Sequence, residues 1–180
     1  MLIHTLSWEP IYGVDVLAKA FVGASRQVPE LRMFLLGNGS LAAEIRRLLM
    51  PVNDRVQFAG QVPQEKLPDY YRAADLYISA SHSDGSSVSL MEALASGLPA
   101  LVSDIPGNRE WIADSGAGWL FPDGEADALA QKIVDAHRQK DRLAEMGPQA
   151  RQLAESRADW GKNFEKLKTA YQIAVEESLQ

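Results

Sequence analysis

The chain contains no cysteine among its 180 residues. Disulfides, thiol nucleophiles and cysteine metal centres are therefore excluded, and a reducing cytoplasm is the expected compartment. Histidine is scarce. His4, His82 and His137 stand far apart without ligand spacing, so no metal site is expected. No apolar run is long enough to cross a bilayer, and no secretory leader pattern opens the sequence. Basic residues are missing from two stretches: none precedes Lys19, and none lies from Ala73 to Asn108. The formal charge of -6 disfavours nucleic acid or an anionic membrane as a partner. It does not oppose a small anion held by backbone groups.

What is present fits a soluble globular protein. Hydrophobic residues make up 46% of the chain, and the length suits one domain with a real core. Apolar runs at residues 2–6, 31–36, 56–59, 75–79, 98–102 and 118–121 read as short strands. Helical spacing fills residues 12–27, 40–49, 64–72, 86–96 and 107–113, with Ser40 placed to cap the second of these. After Gly124 the pattern is helical to the end, with breaks expected near Gly147-Pro148 and Asp159-Trp160. Six strands alternating with helices predict an α/β fold: a Rossmann-like, doubly wound parallel sheet covered on both faces. Ligands of such sheets sit beyond the carboxyl ends of the strands, where strand order switches.

One loop at that edge carries the chemistry. The segment DGSSVSLMEALASG, residues 84–97, leaves the fourth strand and enters a helix. Free N–H groups and the dipole at the helix start favour an anion, most simply a phosphate. Gly85 permits close approach, and Ser86 and Ser87 add hydroxyl donors. Glu92 lies roughly 9 Å along the axis from Ser86, and Asp84 precedes the helix. One carboxylate thus stands on each side of the anion position. Carboxylates accept from sugar hydroxyls, so the spacing suits a nucleoside diphosphate sugar better than acid–base work on one bond. The plainer reading stays open at this point: Asp, Ser and Gly are ordinary capping residues, and a helix glutamate is usually solvated.

These residues resemble a known family. DGSSVSLMEALASGLPALVSDIPGNREWI, through Gly107 and Glu110, is similar to the donor-sugar motif of retaining glycosyltransferases of the GT-B fold, the group 1 family. LLGNGSL at 35–41 resembles the family's Gly-x-Gly turn, and VQFAGQVPQEKLPDYYRAADLYISAS resembles the segment leading to the motif. The resemblance covers essentially residues 1–180 and implies a single nucleotide-sugar-binding domain, the C-terminal half of a two-domain enzyme. It implies Asp84 at the donor hexose, Glu92 at the ribose, and backbone of Gly85, Ser86, Ser87 and Val88 at the diphosphate. Gly37 and Gly39 would form a turn and part of the ligand wall, and Val62 would border the base. The implied reaction is hexosyl transfer to an acceptor hydroxyl with retention, without cofactor or metal.

Departures accompany the match. Asp84 stands where the family usually has Glu, and Leu6 and Tyr12 stand where it places an arginine and a lysine toward the diphosphate. Arg72, Arg109 or a cation from another domain would have to compensate. The implied partner is an N-terminal acceptor domain, toward which the helix from about residue 159 would pack. The apolar face of that helix (Phe164, Leu167, Tyr171, Val175) is expected either to finish the core or to remain partly uncovered. The expected location is cytoplasmic, at the inner membrane face for the full-length enzyme if it is peripheral. Two other readings fit the same fold: an interaction module that has lost its ligand, and a nucleotide-sugar epimerase or phosphorylase.

Overall fold

The computed structural model describes residues 1–178. Its strands are β1 (Leu2–His4), β2 (Met33–Leu36), β3 (Val56–Gly60), β4 (Leu76–Ser79), β5 (Ala100–Ser103) and β6 (Gly118–Phe121). All neighbouring pairs are parallel, in the order β3-β2-β1-β4-β5-β6. The order reverses between β1 and β4, which pair through Leu2 with Leu76 and Ile3 with Tyr77. The expected doubly wound sheet is present, and its switch point lies at the β1/β4 boundary.

The crossovers are α1 (Val14–Gln27), α2 (Ala42–Leu49), α3 (Leu67–Arg72), α4 (Val88–Ala95) and α5 (Pro106–Ile112). Then follow α6 (Ala126–Arg138), α7 (Lys140–Arg157) and α8 (Trp160–Ser178). Successive strand residues point to opposite faces, so the core divides in two. Leu2, Met33, Leu35, Ile78 and Leu101 pack with α1, α2 and α6. Ile3, Tyr77, Ala100 and Val102 pack with α4, α5, α7 and Tyr71 of α3. Both layers are needed, because every strand residue of β1, β4 and β5 is buried.

Two expectations are corrected. No break occurs at Gly147-Pro148: α7 runs through Pro148, and the chain turns instead at Gln139. Packing outweighs the hydrogen bond that proline removes. A Cβ on Gly147 would lie 3.0 Å from the carbonyl oxygen of Gly97, so α7 seats closely on the end of α4, while Ala150 and Ala154 are buried beyond it. Ser40 does not cap α2. Its N–H donates to Glu9 Oε1 at 2.9 Å and its hydroxyl to Glu9 Oε2. Of the two alternatives for α8, the uncovered face is the one observed: Phe164 is 44% exposed, Leu167 47% and Tyr171 67%. The break near residue 159 is present. The Lys162 N–H donates to Asp159 Oδ1 at 2.8 Å, which caps α8.

Candidate nucleotide-sugar site

Three loops meet above the switch point. The loop after β1 folds back on the turn after β2. Trp8 N–H donates to Asn38 O at 3.0 Å, Leu41 N–H to Trp8 O at 3.0 Å, and the Trp8 indole to Leu36 O at 2.8 Å. A Cβ on Gly37 (φ +91) or on Gly39 would stand 2.5 Å from the carbonyl oxygen of Leu6 or Trp8, respectively. These two glycines therefore serve the docking of one loop on the other. Gly37 N–H also donates to Gly60 O at 2.7 Å, tying this turn to the end of β3. Val62 is half-buried and packs against the α4-side core. Trp8 is buried and belongs to the core rather than to a ligand surface.

The loop after β4 enters α4. The helix begins at Val88 with Ser87 as its cap residue, and no side chain closes its start. The serines are thus not performing the ordinary capping role. Ser87 is buried and its hydroxyl meets that of Ser89 at 3.2 Å, while Ser89 meets the Tyr77 hydroxyl at 2.9 Å. Ser86, Gly85 and Val88 are exposed, and a Cβ on Gly85 would meet nothing within 4 Å. Gly107, at the start of α5, lies beneath this loop. A Cβ there would stand 2.2 Å from Gly85 O and 2.5 Å from Asp84 O. This third glycine of the motif therefore lets α5 support the tip of α4.

Glu92 is not a solvated surface acid. It is half-buried on α4, and the Tyr71 hydroxyl donates to its Oε2 at 3.1 Å. Thr5, just past β1, meets the same hydroxyl at 3.1 Å. Glu92 is thereby linked to the carboxyl end of β1, the strand that borders the switch. Burial pushes the Tyr71 phenol well above the usual tyrosine range and Tyr77 up to about 12, so both remain protonated. A cleft lined by Gln64, Leu67, Tyr71, Glu92 and Ser96 runs between α3 and α4. A separate cavity opens at the opposite, amino edge of the sheet, with a mainly aliphatic lining that includes Leu2, Leu76, Leu98 and Ile133.

Asp84 is half-buried, and its carboxylate has no partner among the described residues. The structure therefore brings Asp84, Gly85, Ser86, Ser87, Val88 and Glu92 onto one loop and helix at the switch point. Gly37, Gly39 and Val62 lie on neighbouring loops. Sequence reasoning missed Thr5 and Tyr71: Thr5 meets Tyr71 across 66 positions of the chain, and Tyr71 meets Glu92 across 21. It also missed the pairing of His82 Nδ1 with Asp123 Oδ1 at 2.7 Å, beside the α4 loop. The two cations considered as compensation are occupied. Arg109 grips Asp104 through two 2.8 Å contacts, and Arg72 pairs with Asp69. Glu110 accepts from Arg157, at the end of α7, at 3.1 Å.

The doubly wound sheet carries an open helix start and two flanking carboxylates at its switch point, the edge where sheets of this class bind their ligands. The chain belongs to the group 1 glycosyl transferase family, whose family model matches residues 3–153. It is 33% identical over 152 residues to the GtfA subunit of the UDP-N-acetylglucosamine–peptide N-acetylglucosaminyltransferase of Streptococcus pneumoniae, covering 79% of this chain and 29% of that protein. It is 32% identical to the D-inositol 3-phosphate glycosyltransferase of Nocardia farcinica, covering 93% of this chain and 39% of that protein. The solved pneumococcal O-GlcNAc transferase GtfA, in complex with UDP and GlcNAc, superposes with a TM-score of 0.81 at 30% identity. That match covers 99% of this chain and 36% of the GtfA chain. The chain thus spans about three to four tenths of the curated relatives it matches.

Proposed function

We propose that this chain is the donor-binding domain of a retaining glycosyltransferase, holding a nucleoside diphosphate sugar and working with an acceptor-binding N-terminal domain. The observation that carries the reading is Glu92, fixed by Tyr71 beside the switch point rather than left in solvent. The open start of α4 suits the diphosphate, Glu92 the ribose hydroxyls and Asp84 the hexose. The UDP in the solved GtfA structure, at 30% identity, supports uracil as the first base to try. The modest coverage of the relatives and the exposed face of α8 support a second domain. No helix among the described residues is long and apolar enough to cross a membrane, and a cytoplasmic location is part of the proposal.

UDP is expected to shift the amide signals of residues 85–88. Glu92→Ala is expected to weaken UDP about tenfold or more while leaving 2′,3′-dideoxy-UDP unchanged, because only the former offers ribose hydroxyls to the carboxylate. Equal UDP affinity in the two proteins overturns the donor-site assignment. One observation favours a second reading, an interaction module without donor binding: Arg72 and Arg109 are both paired with aspartates. Calorimetry without heat at millimolar nucleotide sugar would support that alternative.

A further inference from the structure

The direction of the hydrogen bonds around Tyr71 is fixed by what each group can do. Carboxylate and carbonyl oxygens only accept, so the single phenolic proton of Tyr71 faces two acceptors, Glu92 Oε2 at 3.1 Å and Ser89 O at 3.4 Å, of which Glu92 is the nearer. The 3.1 Å contact between Thr5 Oγ1 and the phenolic oxygen must then be a donation by Thr5. The chain of donors runs Thr5 to Tyr71 to Glu92, from the end of β1 across α3 into α4. Tyr71 itself is 1% exposed and edge-packed on Tyr77 with ring centroids 6.4 Å apart, so its hydroxyl has little freedom to move. No other donor reaches the Glu92 carboxylate among the described residues. One oxygen is held from within the protein, and the other is left for a ligand.

We infer that Tyr71, oriented by Thr5, is a positioning residue that sets the Glu92 carboxylate for a vicinal pair of hydroxyls. The inference rests on the donor-site reading for the identity of that diol. Its mechanical part stands on the hydrogen bonds alone. A glutamate side chain on a helix ordinarily samples several rotamers. Anchoring one oxygen removes that freedom before the ligand arrives and aims the second oxygen, which is how a supporting group raises affinity without touching the ligand. Phenylalanine at 71 keeps the ring packing and removes only the hydroxyl, with its contacts to Glu92, Thr5 and Ser89 O.

The test has two arms on the same proteins. In the ligand-free state, side-chain scalar couplings of Glu92 are expected to report one rotamer in the wild type and averaging in Tyr71→Phe. In calorimetry, Tyr71→Phe is expected to weaken UDP about tenfold while leaving 2′,3′-dideoxy-UDP unchanged, and Thr5→Val to give a smaller loss of the same kind. A single Glu92 rotamer retained in Tyr71→Phe overturns the inference whatever the ligands do. An equal loss for both nucleotides overturns it too, because that is the mark of general structural damage. A wild type that does not bind UDP overturns the donor-site reading and the assigned diol, while the rotamer arm still decides whether Tyr71 holds Glu92.

Discussion

At the scale of single residues, burial decides what the titratable groups can do. His4 closes β1, is fully buried, and meets Ile78 O through Nδ1 at 3.0 Å. Burial holds its imidazole neutral and lowers its pKa from 6.5 to about 4. The unfolded chain therefore takes up this proton first as pH falls. The stabilising contribution is fully present above pH 6.5 and is lost progressively toward pH 4, a change of roughly 3 kcal/mol. His4→Asn keeps a donor for Ile78 and removes the titration. Its denaturant midpoint is expected to be lower at pH 7 but nearly flat between pH 7 and 5, where the wild type declines. Glu92 shows the same rule from the other side: the sequence places it on the helix, and only the buried phenol of Tyr71 shows that it is held rather than solvated.

Elements act through the close approaches they permit. The α5 start lies under the α4 loop because Gly107 has no Cβ to strike Gly85 O, which would stand at 2.2 Å. Gly107→Ala must push the loop outward or shift α5. It is expected to destabilise the fold by about 1–3 kcal/mol and to weaken UDP by more than Glu92→Ala does, read by urea denaturation and calorimetry. A binding curve unchanged from wild type would show that the loop is not part of the site. The same principle explains α7. Its glycine faces Gly97 closely enough that the helix continues through Pro148, although the sequence alone marks a break there.

At the scale of the molecule, two surfaces differ in kind. The switch-point edge gathers helix amides, hydroxyls and two carboxylates, whereas α8 presents a row of apolar side chains to solvent. Trp160 and Phe164 stack at 5.9 Å on that helix, yet Trp160 is 78% exposed. Exposed substitutions usually change stability by less than about 0.5 kcal/mol. Phe164→Gln with Leu167→Gln is therefore expected to leave the melting temperature of this chain almost unchanged and to reduce binding of an apolar dye. A large loss of stability would mean that the face is packed.

The amino-acid sequence by itself determined the alternation of strand and helix, because periods of two and 3.6 are local properties of the chain. It also placed Asp84, the glycine-serine loop and Glu92 in one motif, since eight positions on a loop and helix hold them together wherever the helix goes. The strand order and the Thr5–Tyr71–Glu92 chain were decided only in three dimensions. Ser40 was drawn to Glu9, 31 positions away, and Pro148 was carried inside a helix. In each of these cases a contact between distant segments outweighed a local preference worth a kilocalorie or a few, and no window of sequence contains that contact.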